Sequence, residues 1–116
     1  MDIQNWSDDI ILVELRREPQ MGDELKTVID IVSDRGDCDV VLDFSGVDII
    51  ISASLGKLLR LRQLLIDCGH RLIFCNVNAF TIGAFKITGL DGLFEVVEDK
   101  SAASIELGMV VGSKSD

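Results

Sequence analysis

One histidine, three cysteines and a shortage of basic residues limit what this 116-residue chain can be. His70 has no second imidazole with which to share a metal ion and, following Gly69 at a turn, it reads as a surface turn residue. Cys38, Cys68 and Cys75 are odd in number and contain no C-x-x-C pair. That argues against a disulfide framework and a zinc knuckle, and leaves them as reduced core thiols. Lys plus Arg number 11 against 20 Asp plus Glu, a formal net charge of −9 that repels phosphate backbones and anionic lipid surfaces. No apolar run reaches the roughly 18 residues of a membrane span, and Met1-Asp2-Ile3-Gln4 lacks the basic start of a signal peptide. These absences point to a cytoplasmic chain with no membrane insertion, no nucleic-acid partner, no metal and no cofactor.

What is present is enough for a core. The chain is 47% hydrophobic and 27% charged, a balance outside the disordered range, and its length fits one domain spanning residues 1–116. The packed part is expected over about residues 8–108, with 109–116 as a flexible tail ending in Gly112-Ser113-Lys114-Ser115-Asp116.

Periodicity supplies the elements. Residues 3–6 and 10–15 read as strands parted by the polar turn Ser7-Asp8-Asp9, a hairpin. Leu25, Val28, Ile29 and Val32 fall at i, i+3, i+4 and i+7, which predicts a helix over 23–33 with Pro19 before it and Gly36 just past its end. Residues 40–44 and 72–75 are apolar runs suited to strands covered on both faces. Between them Leu55, Leu58, Leu61 (or Leu59), Leu65 and Cys68 predict a helix closed by Gly69, and strand, helix, strand implies a right-handed parallel crossover. A third helix is expected to be capped by Asn78, to bury Phe80, Ala84 and Ile87, and to stop at Gly89. Residues 93–97 make a last strand, and Asp99 caps a fourth helix through Ala102, Ala103, Ile105 and Leu107. The sum is an α/β fold: a mixed sheet of about five strands, hairpin plus parallel strands, flanked by about four helices. Leu25, Val28, Val41, Leu58, Leu65, Ile73 and Phe94 are the expected core.

The residue types that carry chemistry are few. Ser52 stands at the mouth of the second helix, where a hydroxyl can cap an orphan N–H and where the helix dipole favours negative charge. A phosphate there would bring nearly two charges to an apolar surface. Ser54 adds a second hydroxyl in the same turn, expected to face solvent and to help satisfy the helix start. Lys57, Arg60 and Arg62 form a basic cluster in an acidic chain, either a solvated helix face or a patch that steers an acidic partner. Asp43 and Asp48 are the only carboxylates near Ser52, and Asp43, at a strand end, reads as satisfying a turn or facing solvent. A phospho-receiver would need an acidic pair after its first strand and a lysine after its last, whereas the first strands here make a hairpin and Lys86 lies in a helix pattern. There is no Gly-rich phosphate loop and no Cys/His or Ser/His pair. A hydrolase or nucleotide-binding enzyme would therefore need site residues that the pattern does not display.

The order of elements, the stretch Val40-Val41-Leu42-Asp43-Phe44-Ser45-Gly46-Val47-Asp48, the serine-bearing turn before Leu55-Gly56, Gly69 before the next strand, and Ile87-Thr88-Gly89-Leu90 followed by Leu93-Phe94 together resemble the STAS domain. More narrowly, the chain resembles a free-standing anti-sigma-factor antagonist, over roughly residues 8–108. The resemblance implies a non-enzymatic regulatory module whose unmodified form binds an anti-sigma factor that is also a serine kinase of the GHKL type, and which phosphorylation releases. The family's switch motif, Asp-Ser-Ser/Ala-Gly-Leu-Gly, corresponds to Ile51-Ser52-Ala53-Ser54-Leu55-Gly56. It implies Ser52 as the phosphorylated residue, with Ser54 the weaker candidate, and partner contact through Ile51, Ser52, Ala53, Ser54, Lys57 and Arg60. Ile51 replaces the aspartate and Ser54 the glycine. The missing carboxylate argues against phosphorylation, because an acid beside the acceptor can orient the hydroxyl, hold the turn or meet a basic group of the kinase. The apolar surface for binding is intact. The alternative is an accessory or scaffold STAS subunit of a transporter or stress-signalling complex in which the switch is no longer used.

Overall fold

The computed structural model describes residues 1–108, so the expectation for the 109–116 tail lies outside the described residues. In chain order the elements are β1 (Asp2–Ser7), β2 (Ile10–Glu14), α1 (Gln20–Arg35), β3 (Asp39–Asp43), α2 (Ser52–Asp67), β4 (Leu72–Cys75), α3 (Ala79–Ile87), β5 (Glu95–Val97) and α4 (Lys100–Glu106). The strands form one sheet in the order β1-β2-β3-β4-β5. β1 pairs antiparallel with β2, and each later pair is parallel, as the hairpin and crossover patterns lead one to expect.

Alternation along the strands divides the core in two. Ile11, Val13, Val40, Leu42, Leu72 and Phe74 face a cluster built with Leu25, Val28 and Val32 of α1, Leu58, Leu61 and Leu65 of α2, and Phe85 of α3. Ile10, Leu12, Val41, Ile73 and Cys75 face the opposite way, against Ala103 of α4 with Trp6, Val97 and Leu107 half-buried around it. The three helices α1, α2 and α3 thus share one face, and α4 covers the other. All seven expected core residues, Leu25, Val28, Val41, Leu58, Leu65, Ile73 and Phe94, are buried.

Local signals place most of the helix ends. Gly36 closes α1 at φ 65°, its N–H donated to Val32 at 2.8 Å, a left-handed conformation that costs glycine nothing. The helix itself opens earlier than its periodicity suggests, at Gln20 directly after Pro19. Asn78 and Asp99 cap α3 and α4 as expected, accepting from the N–H groups of Thr81 and Ala102. Arg71 ties β4 to β5 and α4 through Glu95 and Glu106.

Several expectations need correction. In α3 the buried residues are Thr81 and Phe85, whereas Phe80 is 73% and Ile87 88% exposed and Ala84 is exposed as well. The sequence of this helix, Ala-Phe-Thr-Ile-Gly-Ala-Phe-Lys-Ile, is apolar around most of its circumference, so two faces compete. Phe85 wins because Phe74 and Phe94 wait for it, with ring centroids 6.3 and 5.4 Å away. In α4 Ile105 is exposed for a similar reason, since one short helix can turn only Ala103 fully onto the sheet. β5 begins at Glu95, two residues late. His70 is more than a surface residue, since its Nδ1 lies 3.0 Å from Asp39 Oδ1, the same atom that accepts the Arg71 N–H.

Cys68 is exposed at the end of α2, and only Cys38 and Cys75 are core thiols. Burial raises the Cys38 thiol, and burial first, then the Asp43 charge, pushes the Cys75 thiol up to about 12. A thiol reagent at neutral pH should therefore label Cys68 in the native protein and leave Cys38 and Cys75 untouched until denaturant is added. Mass spectrometry of the labelled peptides checks this, and native labelling of Cys75 would contradict the packing of α4 on the sheet.

Candidate regulatory surface at the amino end of α2

The connection from β3 to α2 is fixed at its base by Asp43. This residue is on the α4 side of the sheet and only 3% exposed. Its Oδ1 accepts the Ser45 N–H at 2.9 Å and the Asn76 side-chain amide at 3.0 Å, and Lys100 Nζ lies 3.5 Å from Oδ2. Asn76 reaches this position by adopting φ 56°, a left-handed conformation that asparagine tolerates better than most residues. Burial by itself would raise the Asp43 carboxyl, but the bonds from Asn76 and Ser45, with Lys100 nearby, outweigh it and hold the group below the usual carboxylate range. The turn role read from sequence is correct, but it is filled from inside the protein.

Beyond Asp43 the chain crosses the end of β2, where a Cβ on Gly46 would stand 3.0 Å from the Leu15 carbonyl oxygen. Glycine permits that approach. Val47 is buried and donates its N–H to Phe44, while Ile49 is exposed. Asn78 then fastens this loop to α3. Its Oδ1 accepts the Thr81 N–H, and its Nδ2 donates to the carbonyls of Val47 and Asp48 at 3.2 and 3.3 Å. One side chain therefore caps α3 and sets the distance between α3 and the start of α2.

Ser52 is the first residue of α2, and the N-cap is Ile51 with extended backbone at φ −83° and ψ 160°. The expected serine cap is absent: no side chain caps this helix end, and the Ser52 side chain is exposed. Instead the Ile51 N–H is donated to Glu18 Oε2 at 3.1 Å. Ser54 also departs from expectation. It is fully buried and its Oγ has no hydrogen-bond partner. It turns inward because α1 presents Gly22 opposite, where a Cβ would be 3.6 Å from that oxygen. A buried hydroxyl is no acceptor for a kinase, so Ser54 drops out as a modification site.

The basic cluster divides along the helix. Arg62 Nε donates to the Leu93 carbonyl at 2.7 Å and so pins α2 to the segment before β5. Lys57 is half-buried and turned toward α1, its Nζ 3.4 Å from where a Gly22 Cβ would be. Arg60 is exposed, and at i+8 from Ser52 it shares the outer face of the helix with Ser52 and Gly56. Lys57 and Arg60, at i and i+3, are neighbours on α2, with Lys57 on the side toward α1 and Arg60 the more exposed of the two.

Between the β3–α2 connection and α3 lies a cleft of about 210 Å³, lined chiefly by Ile49, Ser52, Leu55, Phe80, Thr81 and Thr88. Of its lining, Ile49 and Phe80 are exposed apolar side chains, and Ile51, next to Ser52 in the chain, and Ile87, at the end of α3, are exposed as well. The α3 contribution was assigned to the core by the helical pattern and is missing from the expected partner contacts. Its only sequence signal is the excess of apolar residues around α3. Ile51, Ser52 and Ala53 are exposed as a contact surface requires.

The family model described as STAS domain matches residues 11–103, and the chain belongs to that family. Among solved structures, it is similar to an anti-sigma factor antagonist from Thermotoga maritima, with 20% identity, a TM-score of 0.79, and coverage of 92% of this chain and 93% of that one. It is also similar to the phosphorylated form of the Bacillus cell fate determinant SpoIIAA, at 14% identity, TM-score 0.68 and coverage of 90% and 97%. A sulfate transporter family protein from Wolinella succinogenes matches at 18% identity, TM-score 0.66 and coverage of 85% and 84%. No curated protein sequence matches significantly. No helix among the described residues is long and apolar enough to cross a membrane, and none of their side chains group as a metal site.

The Asp43 bonds give the connection a pH signature. A carboxyl held below its ordinary range contributes stability that is present at neutral pH and is lost as pH falls through its folded value. Asp43→Asn should therefore destabilise the protein by on the order of 1–3 kcal/mol at pH 7, with the difference from the parent shrinking below about pH 4. Urea denaturation of both proteins from pH 3 to 7 checks this. A difference independent of pH would show that the Asp43 charge is not what holds the turn.

Proposed function

We propose that this chain is a non-enzymatic, cytoplasmic regulatory module of the anti-sigma-factor antagonist type, which binds an anti-sigma factor of the serine-kinase class through the surface around Ser52. The observation that carries this reading is the exposed Ser52 in the lining of an apolar cleft with Ile49, Leu55 and Phe80, with Ile51 beside it in the chain and Ile87 on α3 also exposed. Exposed apolar side chains gathered beside polar ones mark a protein contact surface. The cleft volume of about 210 Å³ is below the roughly 300–1,000 Å³ of small-molecule sites, and suits one or two anchoring side chains of a partner. Likeness to antagonists in both fold and family supports the same class of partner.

The switch follows from electrostatics. A GHKL-type kinase would transfer the terminal phosphoryl group of ATP to Ser52 Oγ, forming the O–P bond as ADP leaves and the hydroxyl proton is lost. The product carries nearly two negative charges on a surface that must lose water when a partner docks. An unpaired charge in such an interface opposes binding. At the helix end itself an anion is tolerated, so the fold survives the modification.

A second reading is favoured by Ile51, which stands where the antagonist motif carries aspartate, and by the likeness to the sulfate transporter family protein. In it the chain is an accessory or scaffold subunit, and Ser52 is a contact that is never phosphorylated.

The two readings separate on one set of proteins. With a partner kinase recovered by pull-down, Ser52→Asp should weaken binding at least about tenfold, or 1.4 kcal/mol, while Ser52→Ala binds nearly as the parent does. Incubation with that kinase and ATP should label Ser52, and Ile51→Asp should raise the rate if the missing carboxylate limits it. Calorimetry and phosphosite mapping read these outcomes. Weakened binding with no label at Ser52 selects the scaffold reading, and equal affinities for the parent and Ser52→Asp remove Ser52 from the interface.

A further inference from the structure

The amino end of α2 is held by a residue from another part of the chain. Glu18, in the connection between β2 and α1, accepts the Ile51 N–H at 3.1 Å across 33 residues of sequence. The first turn of α2 contains no acid and no side-chain cap, so Glu18 brings the negative charge that the helix dipole favours there. It supplies a carboxylate to a turn in which position 51 has none. The fit is incomplete. Among the described residues, Glu18 Oε1 is buried with no hydrogen-bond partner, and so is Ser54 Oγ at the third helical position. An unpaired buried acceptor is unfavourable, which leaves the carboxylate less firmly held than one bonded through both oxygens.

We propose that Glu18 is a displaceable latch on the Ser52 switch: it holds the amino end of α2 while Ser52 is unmodified and is expelled when Ser52 carries a phosphoryl group. The inference rests on the reading of Ser52 as the modified residue. Both anions sit at the same helix end: Glu18 holds the Ile51 N–H, and the amides of residues 52–54 beside it are those that an α-helix leaves without an internal acceptor. A phosphoserine at the first helical position has up to twice the charge of Glu18 and three acceptor oxygens, and it is tethered in place. The two groups repel one another, and the weaker ligand leaves. Expulsion frees the β2–α1 connection, so the modification is relayed to the first turn of α1, where Gly22 faces Ser54 and Lys57.

The test needs no partner protein. The ¹⁵N-labelled chain is prepared unmodified and with phosphoserine incorporated at position 52, each with Glu18 and with Glu18→Gln. In the unmodified pair, Glu18→Gln should shift the Ile51 amide resonance and speed its hydrogen exchange at least about threefold, the loss of a charge-assisted bond. In the phosphorylated pair, the Ile51 amide should already have moved, and Glu18→Gln should change nothing further. An effect of equal size in both pairs overturns the latch, and so does an Ile51 amide that ignores Glu18→Gln in the unmodified protein. Glu18→Asp, which keeps the charge on a shorter arm, gives the same comparison if the glutamine variant does not fold. Unweakened partner binding by Ser52→Asp would remove the functional reading and leave this result intact. Failure here would leave the binding surface intact.

Discussion

Burial of β2, β3 and β4 on both faces is the constraint on which the rest depends. Strands such as Val40-Val41-Leu42 place apolar side chains on each side of the sheet, so neither side can be left to solvent. The helices answer unequally. Three cover one side and a single short helix the other. Parallel pairing then requires the chain to leave β3 at one end of the sheet and return through α2 before β4 can form. The amino end of α2 is thereby brought to the end of the sheet at which β3 finishes, with Ile51, Ser52 and Ala53 exposed. The position of Ser52 follows from covering the sheet.

The same constraint explains the apolar surface beside it. Phe44, Phe74, Phe85 and Phe94 form a cluster of tilted rings centred on Phe74, which lies 4.7 Å from both Phe44 and Phe94 between ring centroids. Each such pair contributes roughly 0.5–1.5 kcal/mol beyond the area it buries. Holding Phe85 in that cluster fixes the rotation of α3 and turns Phe80 and Ile87 outward. Asn78 then sets α3 against the loop before α2. A core requirement and an exposed apolar surface are two sides of one helix.

Much of the fold was legible in the sequence because the deciding signals are local. Asn78, Asp99 and Gly36 act on the turn in which they stand, and the periodicity of α1 and the apolar runs of β3 and β4 are self-contained. The candidate site was legible only in part. Its location at Ser52 could be read, but three of its features depend on residues remote in sequence. The burial of Ser54 depends on Gly22, the anchoring of the Ile51 N–H on Glu18, and the face of α3 on Phe74 and Phe94. Periodicity cannot choose between two apolar faces of one helix when the choice is made by side chains elsewhere in the chain. Cys68 shows the same limit at the other end of α2, where an apolar position in the pattern falls on the exposed side.

The central claim is that the partner docks on the surface shared by the start of α2 and the outer face of α3. It is tested most directly by recording amide resonances of the ¹⁵N-labelled chain as unlabelled partner kinase is added. The perturbed amides should cluster at Ile49, Ile51, Ser52 and Ala53 and at Phe80, Ala84 and Ile87, with β1 and α4 unaffected. Perturbations centred on α4 or on the edge strand β1, with the amides around Ser52 and Phe80 unmoved, would contradict the account.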